Sequence, residues 1–299
     1  MSVCVLGSIN LDFVCRVAEL PGPGETVTAL DLTRFAGGKG ANQAAASARW
    51  GAHTYMIGAV GEDDAGDALL AHLSSAGVDV SGIARVAGAP TGQAYICVSS
   101  AGENMIVVVG GANKTVSAEQ LRASSIDGHN VLLSQLETRL SAIEALFAGR
   151  HKGLRILNAA PAVPEAASLF PLLDILIVNE TELAQYAGAA RELVALPQIA
   201  AAARSLIARD GQRVIVTLGA RGAVAVDAAG MIEVPGRAVQ VVDTTGAGDC
   251  FCGVLAASLD EGFSLPDAMH RANLAAALST QTAGATVVAT LRVEVDALL

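Results

Sequence analysis

Two short glycine-rich segments hold the residues whose types and spacing could do chemistry. DTTGAGD (243 to 249) places Asp249 after a run of small residues, and a helix-like stretch, DCFCGVLAASL, follows. Gly246, Ala247 and Gly248 carry so little bulk that a ligand can come close to their backbone N–H groups. Those groups open a helix, and a helix N-terminus favours an anion. A carboxylate beside an anion hole suits phosphoryl transfer: the backbone meets the developing phosphate charge while the carboxylate takes a hydroxyl proton. An aspartate at a helix start also has a plainer use as an N-cap, so this segment alone leaves both readings open.

GGKGAN (37 to 42) has the same character, with Gly38, Lys39 and Asn42 ahead of an alanine-rich helix. Lysine is scarce, with Lys39, Lys114 and Lys152 the only three, so one inside a glycine cluster stands out. Lys39 and Asn42 can donate to hydroxyl groups; a solvated glycine loop is the alternative. GSINLD (7 to 12) sets Asn10 and Asp12 two apart in an extended segment, hence on one face. That face could grip a diol, or the pair could serve ordinary turn chemistry. NETE (179 to 182) follows the apolar run DILIV. Asn179 and Glu182 can order water around Mg²⁺, which prefers to keep its waters, or cap a helix.

Other phosphate and metal sites are excluded by spacing. A Walker A loop needs GxxxxGK followed by Ser or Thr, but Gly40 follows Lys39, and Thr33 stands where the first glycine should be. The dinucleotide fingerprint GxGxxG is missing from the first strand's turn, which has one glycine. The five histidines form no HxxxH or HxH pair, and no CxxC occurs among Cys4, Cys15, Cys97, Cys250 and Cys252, which speaks against structural zinc. An odd, scattered set of cysteines fits reduced thiols in a reducing compartment, so a cytoplasmic protein is expected. Cys250 and Cys252 read as packing residues. A net charge of −10 without basic blocks argues against nucleic acid and against anionic membranes. The opening MSVCVLGSINLDF has no basic n-region, and no apolar run reaches the length of a membrane span.

The elements that must position these residues read as an α/β fold. VCVLGSI (3 to 9), HTYMIGAVG, VLLSQLE, RILNAAP, DILIVNETE and RVIVTLGARG are short, buried strands. Helices are expected over 41–50, 63–77, about 139–149, 198–209, 249–261 and 265–282. AVQVV reads as a strand feeding DTTGAGD, and GAVAVDAAGMIEVP as a hairpin. This alternation predicts a mostly parallel central sheet flanked by helices. Strands within 12–18, 27–36, 94–99 and 105–109 have one polar face and break that rhythm. They predict a small, mostly antiparallel sheet projecting from the main body. No linker rich in Pro or Ser divides the chain, so residues 1–299 are expected to form one domain.

Taken together and in this order, the motifs resemble the ribokinase-like carbohydrate kinases, the PfkB family. GSINLD, LPGPGETV, GGKGANQAAA, VGED, SQLE, NAAPA, NETE, TLGARG and DTTGAGDCFCG carry the resemblance along essentially the whole chain. It implies transfer of the γ-phosphate of ATP to a sugar hydroxyl. The lysine in GGKGAN favours a ribose-like substrate, with D-ribose 5-phosphate as product. Deoxyribose, a nucleoside or a ketohexose is the alternative within the family, and a non-catalytic sugar sensor is the alternative outside it.

By the same resemblance, Asp249 would be the base and Gly246, Ala247 and Gly248 the anion hole. Asn10, Asp12, Gly38, Lys39, Asn42 and Glu137, together with Asp249 itself, would hold the sugar. Asn179, Thr217, Gly219, Arg221, Gly222, Gly248 and Asn273 would lie along ATP, and Glu182 would hold Mg²⁺ through water. Asp243, Thr245, Ser279, Thr282 and Gly284 match a monovalent-cation site, usually K⁺. Val288 departs from the family there, because a valine offers no side-chain oxygen. The small sheet would be a lid over the sugar and the face of a homodimer.

Overall fold

The computed structural model describes residues 2–124, 126–189, 193–282, 284 and 291–299; Val288 lies outside them. Its strands are β1 (Val3–Leu6), β2 (Asn10–Val17), β3 (Asp31–Gly37), β4 (Thr54–Gly61), β5 (Val78–Val86), β6 (Gly92–Ser99) and β7 (Asn104–Val109). They continue with β8 (Val131–Ser134), β9 (Leu154–Asn158), β10 (Ile175–Asn179), β11 (Arg213–Thr217), β12 (Gly222–Val226) and β13 (Met231–Pro235). The helices are α1 (Lys39–Trp50), α2 (Asp64–Ser75), α3 (Ala118–Ala123), α4 (Leu140–Ala148), α5 (Glu180–Tyr186), α6 (Leu196–Ser205), α7 (Ala247–Asp260), α8 (Leu265–Ser279) and α9 (Leu291–Asp296).

Nine strands form one sheet in the order β13-β12-β11-β10-β9-β8-β1-β4-β5. It is parallel from β11 through β5, and antiparallel only where β12 and β13 close it. Strand alternation sorts the apolar side chains into two cores. Val3, Val5, Val131, Leu133, Ile156, Ile175, Ile177 and Ile215 meet α1, α2, α7, α8 and α9 on one face. Cys4, Leu6, Leu132, Leu157, Leu176, Val178, Val214 and Val216 meet α3, α4, α5 and α6 on the other. Burying each such side chain stabilises the fold by about 1.5–3 kcal/mol, which is why these strands read as continuous apolar runs. The architecture is the α/β fold expected.

The chain leaves β1 toward β4 and β5 on one side, and later fills β8 to β11 on the other. The order therefore reverses between β1 and β8. In open parallel sheets the crevice at the carboxyl ends of such strands is where ligands bind. Here it is bordered by Gly7 and Ser8 after β1, Gln135 to Glu137 after β8, Asn158 at the end of β9 and Asn179 at the end of β10.

The second sheet has the order β3-β2-β6-β7, with β2 and β6 parallel and the outer two pairs antiparallel. Its strands differ slightly from expectation. β2 starts at Asn10 rather than 12, and β3 at Asp31 rather than 27. Residues 27–30 are exposed, and Leu30 N–H donates to the Arg16 carbonyl instead of continuing the ladder. β5 was not expected, because as an edge strand it keeps Asp79, Ser81 and Arg85 among its residues. The last helix ends at Ser279, three residues early, and α9 follows beyond it.

One expectation fails at the site itself: AVQVV is not a strand. Val241 and Val242 are exposed, and the Val242 and Asp243 N–H groups both donate to the Thr280 carbonyl at the end of α8. DTTGAGD is thus tethered by α8 rather than delivered by a sheet strand.

Candidate active site

Glycine contacts bring the two motifs together. A Cβ on Gly40 would lie 2.5–2.6 Å from the backbone of Gly7 and Ser8, so only glycine lets α1 start against the end of β1. Gly38, at φ 91°, sits within 2.8 Å of backbone atoms of Ser8 and Asn10 by the same measure. Gly253 in α7 faces the Gln43 carbonyl and Ala46 of α1 too closely for any side chain. Close packing of α1 on α7 then carries the first turn of α1 to the first turn of α7.

Asp249 is buried there, and each of its oxygens is held by an amide of α1. Asn42 Nδ2 donates to Oδ2 at 3.0 Å and Gln43 Nε2 to Oδ1 at 2.9 Å. The Asp249 charge raises the Lys39 ammonium above its ordinary range; burial works against this, and Glu137 and Glu182 add to it. Glu137 accepts from Ser8 Oγ and from Lys39 N–H, tying the β8 segment to the β1 turn. Burial first, then the Lys39 charge against that of Asp249, acts on Glu182, whose carboxyl stays above its ordinary range despite the hydrogen bond from Asn179 N–H. Lys39, Asp249, Glu137 and Glu182 therefore share one electrostatic space.

Asn10 and Asp12 enter the same space from β2. Asn10 is buried, and its Oδ1 accepts from Asn113 Nδ2 at 2.8 Å; Asn113 also bonds both backbone groups of Ile9. Asp12 lies over Gly37, whose missing side chain leaves room for the carboxylate. Asp12 Oδ1 is buried and no protein donor reaches it. A hydroxyl group on a bound ligand would supply the donor such an oxygen lacks. Burial, then the charges of Glu137 and Asp249, push the Asp12 carboxyl up to about 7, with Lys39 pulling the other way.

That shift has a consequence for stability. The folded Asp12 value lies above the ordinary carboxylate value of about 3.9, so between about pH 4 and 7 the folded state holds more protons than the unfolded one. Stability from this group is present below that window and is lost as pH rises through it. Urea midpoints measured across pH 4–7 without sugar should therefore favour Asp12→Asn over the parent increasingly as pH rises. Parallel curves would show that Asp12 is not strained by its site.

Asn179 and Glu182 form a capping box on α5: Glu182 N–H donates to Asn179 Oδ1 and Asn179 N–H to Glu182 Oε2. The helix cap is thus realised, and its carboxylate still faces the Lys39–Asp249 space. Asn179 pairs in register with Thr217, at the end of β11. Gly219 and Gly222 follow with φ of 55° and 101°. Arg221 is bound to Glu180 and to the Val194 carbonyl, and so braces the loop rather than reaching out. Asn273 donates to the Val234 and Pro235 carbonyls, holding α8 to β13 beside that loop.

At the start of α7, Gly246 takes a left-handed φ of 76°, and the first intrahelical bond runs from Cys250 N–H to the Gly246 carbonyl. Ala247 N–H turns back to Thr244 at 3.2 Å, so it is already engaged. Gly248 has open space where a side chain would stand. Asp243 fastens this loop: Oδ1 accepts from the Thr245 N–H and hydroxyl, and Oδ2 from Gly284 N–H. Burial works to raise the Asp243 carboxyl, but these amides and the hydroxyl outweigh it and hold it below the usual range. The hydroxyls of Ser279 and Thr282 are bonded to the carbonyls of Ala276 and Ser279. Cys250 and Cys252 are buried, and burial pushes the Cys250 thiol up to about 12, as suits packing residues.

Five residues around this site were not singled out from the sequence: Ser8, Gln43, Asn113, Gln135 and Asn158. Gln43 interrupts an alanine run and Gln135 an apolar strand end, which were the available signals.

The pfkB family carbohydrate kinase model matches residues 1–290. The ribokinase of Haemophilus influenzae is 38% identical over 289 residues, covering 95% of this chain and 94% of that protein. The deoxyribokinase of Salmonella typhi is 33% identical, with 95% and 94% covered. Among solved structures, Thermotoga maritima ribokinase superposes with a TM-score of 0.89 at 33% identity, covering 99% of this chain and 98% of that one. Arabidopsis thaliana ribokinase, solved with ribose and ATP, gives 0.85 at 30% identity, with 98% of each chain covered. With its sheet order, its α1–α7 contact and this whole-chain likeness, the protein belongs to the pfkB family of carbohydrate kinases.

Proposed function

We propose that this kinase transfers the γ-phosphate of ATP to the 5-hydroxyl of D-ribose, with Asp249 as the base. The observation that carries the reading is the Asp249 carboxylate, held at the start of α7 in the space shared by Lys39, Glu137 and Asp12. Asp12, with Asn10 fixed by Asn113, offers acceptors to sugar hydroxyls, and Lys39 and Asn42 offer donors. Asp249 takes the proton of the attacking hydroxyl. The α7 amides near Gly248 meet the phosphate charge, and the 217–222 loop with Asn273 borders the nucleotide.

Four carboxylates around one lysine make a poor seat for a triphosphate by themselves. A divalent cation would reverse that balance, and Glu182 is the carboxylate in reach of the β10 edge. Among the described residues no three acidic, histidine or cysteine side chains form a ready metal cage. Mg²⁺ prefers to keep its waters, so Glu182 would hold it through one of them. Bound Mg²⁺ supplies charge neutralisation on the phosphates. A monovalent cation such as K⁺ would be held by Asp243 and backbone carbonyls of the 243–245 and 279–282 segments, with Thr245, Ser279, Thr282 and Gly284 framing it. Bound there, it would keep the loop before α7 in place.

The β3-β2-β6-β7 sheet, which carries Asn10 and Asp12, is proposed as the lid, its closure excluding water from the phosphate. Its outer strand leaves Met105, Ile106, Val107, Val108 and Val109 between 42% and 59% exposed. Such a row invites a second copy of the chain, so sedimentation at micromolar concentration should give twice the chain mass; a monomer would reject the homodimer. Among the described residues no helix is long and apolar enough to cross a membrane. ATP use and five free cysteines fit a cytoplasmic enzyme, which cell fractionation would check.

The decisive experiment is ATP turnover against D-ribose, 2-deoxy-D-ribose, D-fructose and a nucleoside. D-ribose should have the highest kcat/KM. Preference for 2-deoxyribose, in line with the deoxyribokinase relative, would overturn the ribose assignment. Binding without ATP consumption would overturn catalysis itself.

A further inference from the structure

Gln43 is completely buried, as is Gln135, and Asn158 is nearly so. Three side-chain amides in a row are costly to bury, the more so because Gln135 Oε1 finds no protein donor, and an apolar residue of similar size would pack there at less cost. Their hydrogen bonds show what they do. Gln43 Nε2 donates to Asp249 Oδ1 at 2.9 Å and to Asn158 Oδ1 at 3.1 Å, and Gln43 Oε1 accepts from Gln135 Nε2 at 2.6 Å. Both amide hydrogens and the carbonyl are used. A carboxylate oxygen accepts, so Gln43 presents its nitrogen there, and its oxygen is then left for Gln135 to donate to. Flipping the amide would set oxygen against two oxygens and nitrogen against nitrogen. The chain of donors therefore has one direction, running from the β8 segment through α1 to the base.

We infer that Gln43 is the positioning residue that fixes the carboxylate plane of Asp249, so that one oxygen stays aimed at the sugar hydroxyl. A carboxylate with one donor on each oxygen cannot rotate without breaking one of them. Asn42 supplies the second donor but stands on the half-open side, where the sugar competes for it. Gln43 is sealed from solvent, so no hydroxyl from outside competes for its bond. Its other partners come from the ends of β8 and β9, the strands beside the point where the sheet order reverses. The base is thereby referenced to the sheet, the same frame that carries Glu137 two residues beyond Gln135.

The inference rests on Asp249 being the base, and its test separates the two. Gln43→Met keeps the side chain's length and removes all three bonds. With D-ribose and ATP, it should lower kcat by about 10–100-fold, since misplacing a reacting group by about 1 Å can cost that much. KM for both substrates should stay within about threefold, because Gln43 touches neither. In an Asp249→Asn background the same substitution should change kcat by less than about twofold, because a residue that acts only through Asp249 has nothing left to act on. A purely structural role would give the same factor in both backgrounds, and that result overturns the inference. So does parental kcat in Gln43→Met when Asp249→Asn is impaired. Parental kcat in Asp249→Asn overturns the base assignment and the inference with it. If Gln43→Met does not fold, Gln135→Met removes only the bond to the Gln43 oxygen; a fall in kcat of about 3–10-fold at constant KM supports the inference, and unchanged kcat rejects it.

Discussion

Asp249→Asn is expected to lower kcat by about 10²–10⁴-fold, the usual contribution of a positioned base, while sugar affinity by calorimetry changes only a few-fold. Asparagine keeps the shape of the side chain but has one oxygen in place of two. Gln43 and Asn42 both donate toward this position. One of them would face the new amide nitrogen, so a modest loss of stability should accompany the loss of rate. On the proposed reading sugar binding has other holders, Asp12 and Glu137, and Asn10 is fixed independently by Asn113. Lys39 would lose the neighbour that most raises its affinity for a proton, yet Glu137 and Glu182 still act in the same direction. The ammonium should therefore stay charged at neutral pH and remain a donor to sugar. A residual kcat within a few-fold of the parent would reject Asp249 as the base. Loss of sugar binding to the same extent as kcat would mean that Asp249 is mainly a sugar ligand.

The parts of this site that were legible in the sequence are those written in local patterns. Glycines beside Lys39 and before Asp249 mark places where backbone must come close to something, and apolar runs ending in polar residues mark the carboxyl edge of the sheet. What lay beyond reach was pairing at long range. Gln43 and Asp249 are 206 residues apart, Asn10 and Asn113 are 103 apart, and no spacing rule connects them. The glycines also proved to have a second reason. Gly37, Gly38 and Gly40 read as room for a ligand, yet Gly40 is required by Gly7 and Gly38 by Ser8 and Asn10. AVQVV misled because alternating valines signal a strand only where a sheet edge accepts them, and here the backbone is claimed by Thr280. β5 was overlooked for the opposite cause: an edge strand's polar face dilutes its apolar signal.

Those two uses of glycine predict opposite outcomes for the same chemical change. Gly40→Ala places a methyl about 2.5 Å from the Gly7 backbone, where neither neighbour is a flexible side chain that can move aside. Overpacking of this kind costs about 1–3 kcal/mol or more. The displacement falls on the first turn of α1, so Lys39, Asn42 and Gln43 shift together relative to Asp249, and Tm and kcat/KM should fall in step. Gly248→Ala meets nothing within 4 Å, and its backbone is not in the left-handed region. In the first turn of a helix, alanine is better than glycine by up to about 1 kcal/mol. Gly248→Ala should therefore keep or slightly raise Tm. If the space beside Gly248 is where the γ-phosphate approaches the α7 amides, the added methyl occupies that path, and kcat should fall by about 10²-fold. Thermal unfolding and ATP turnover measured on both variants separate the two causes. A Gly248→Ala protein with parental turnover would show that no phosphate passes there, and the anion hole would have to be sought elsewhere on the loop that Asp243 fastens.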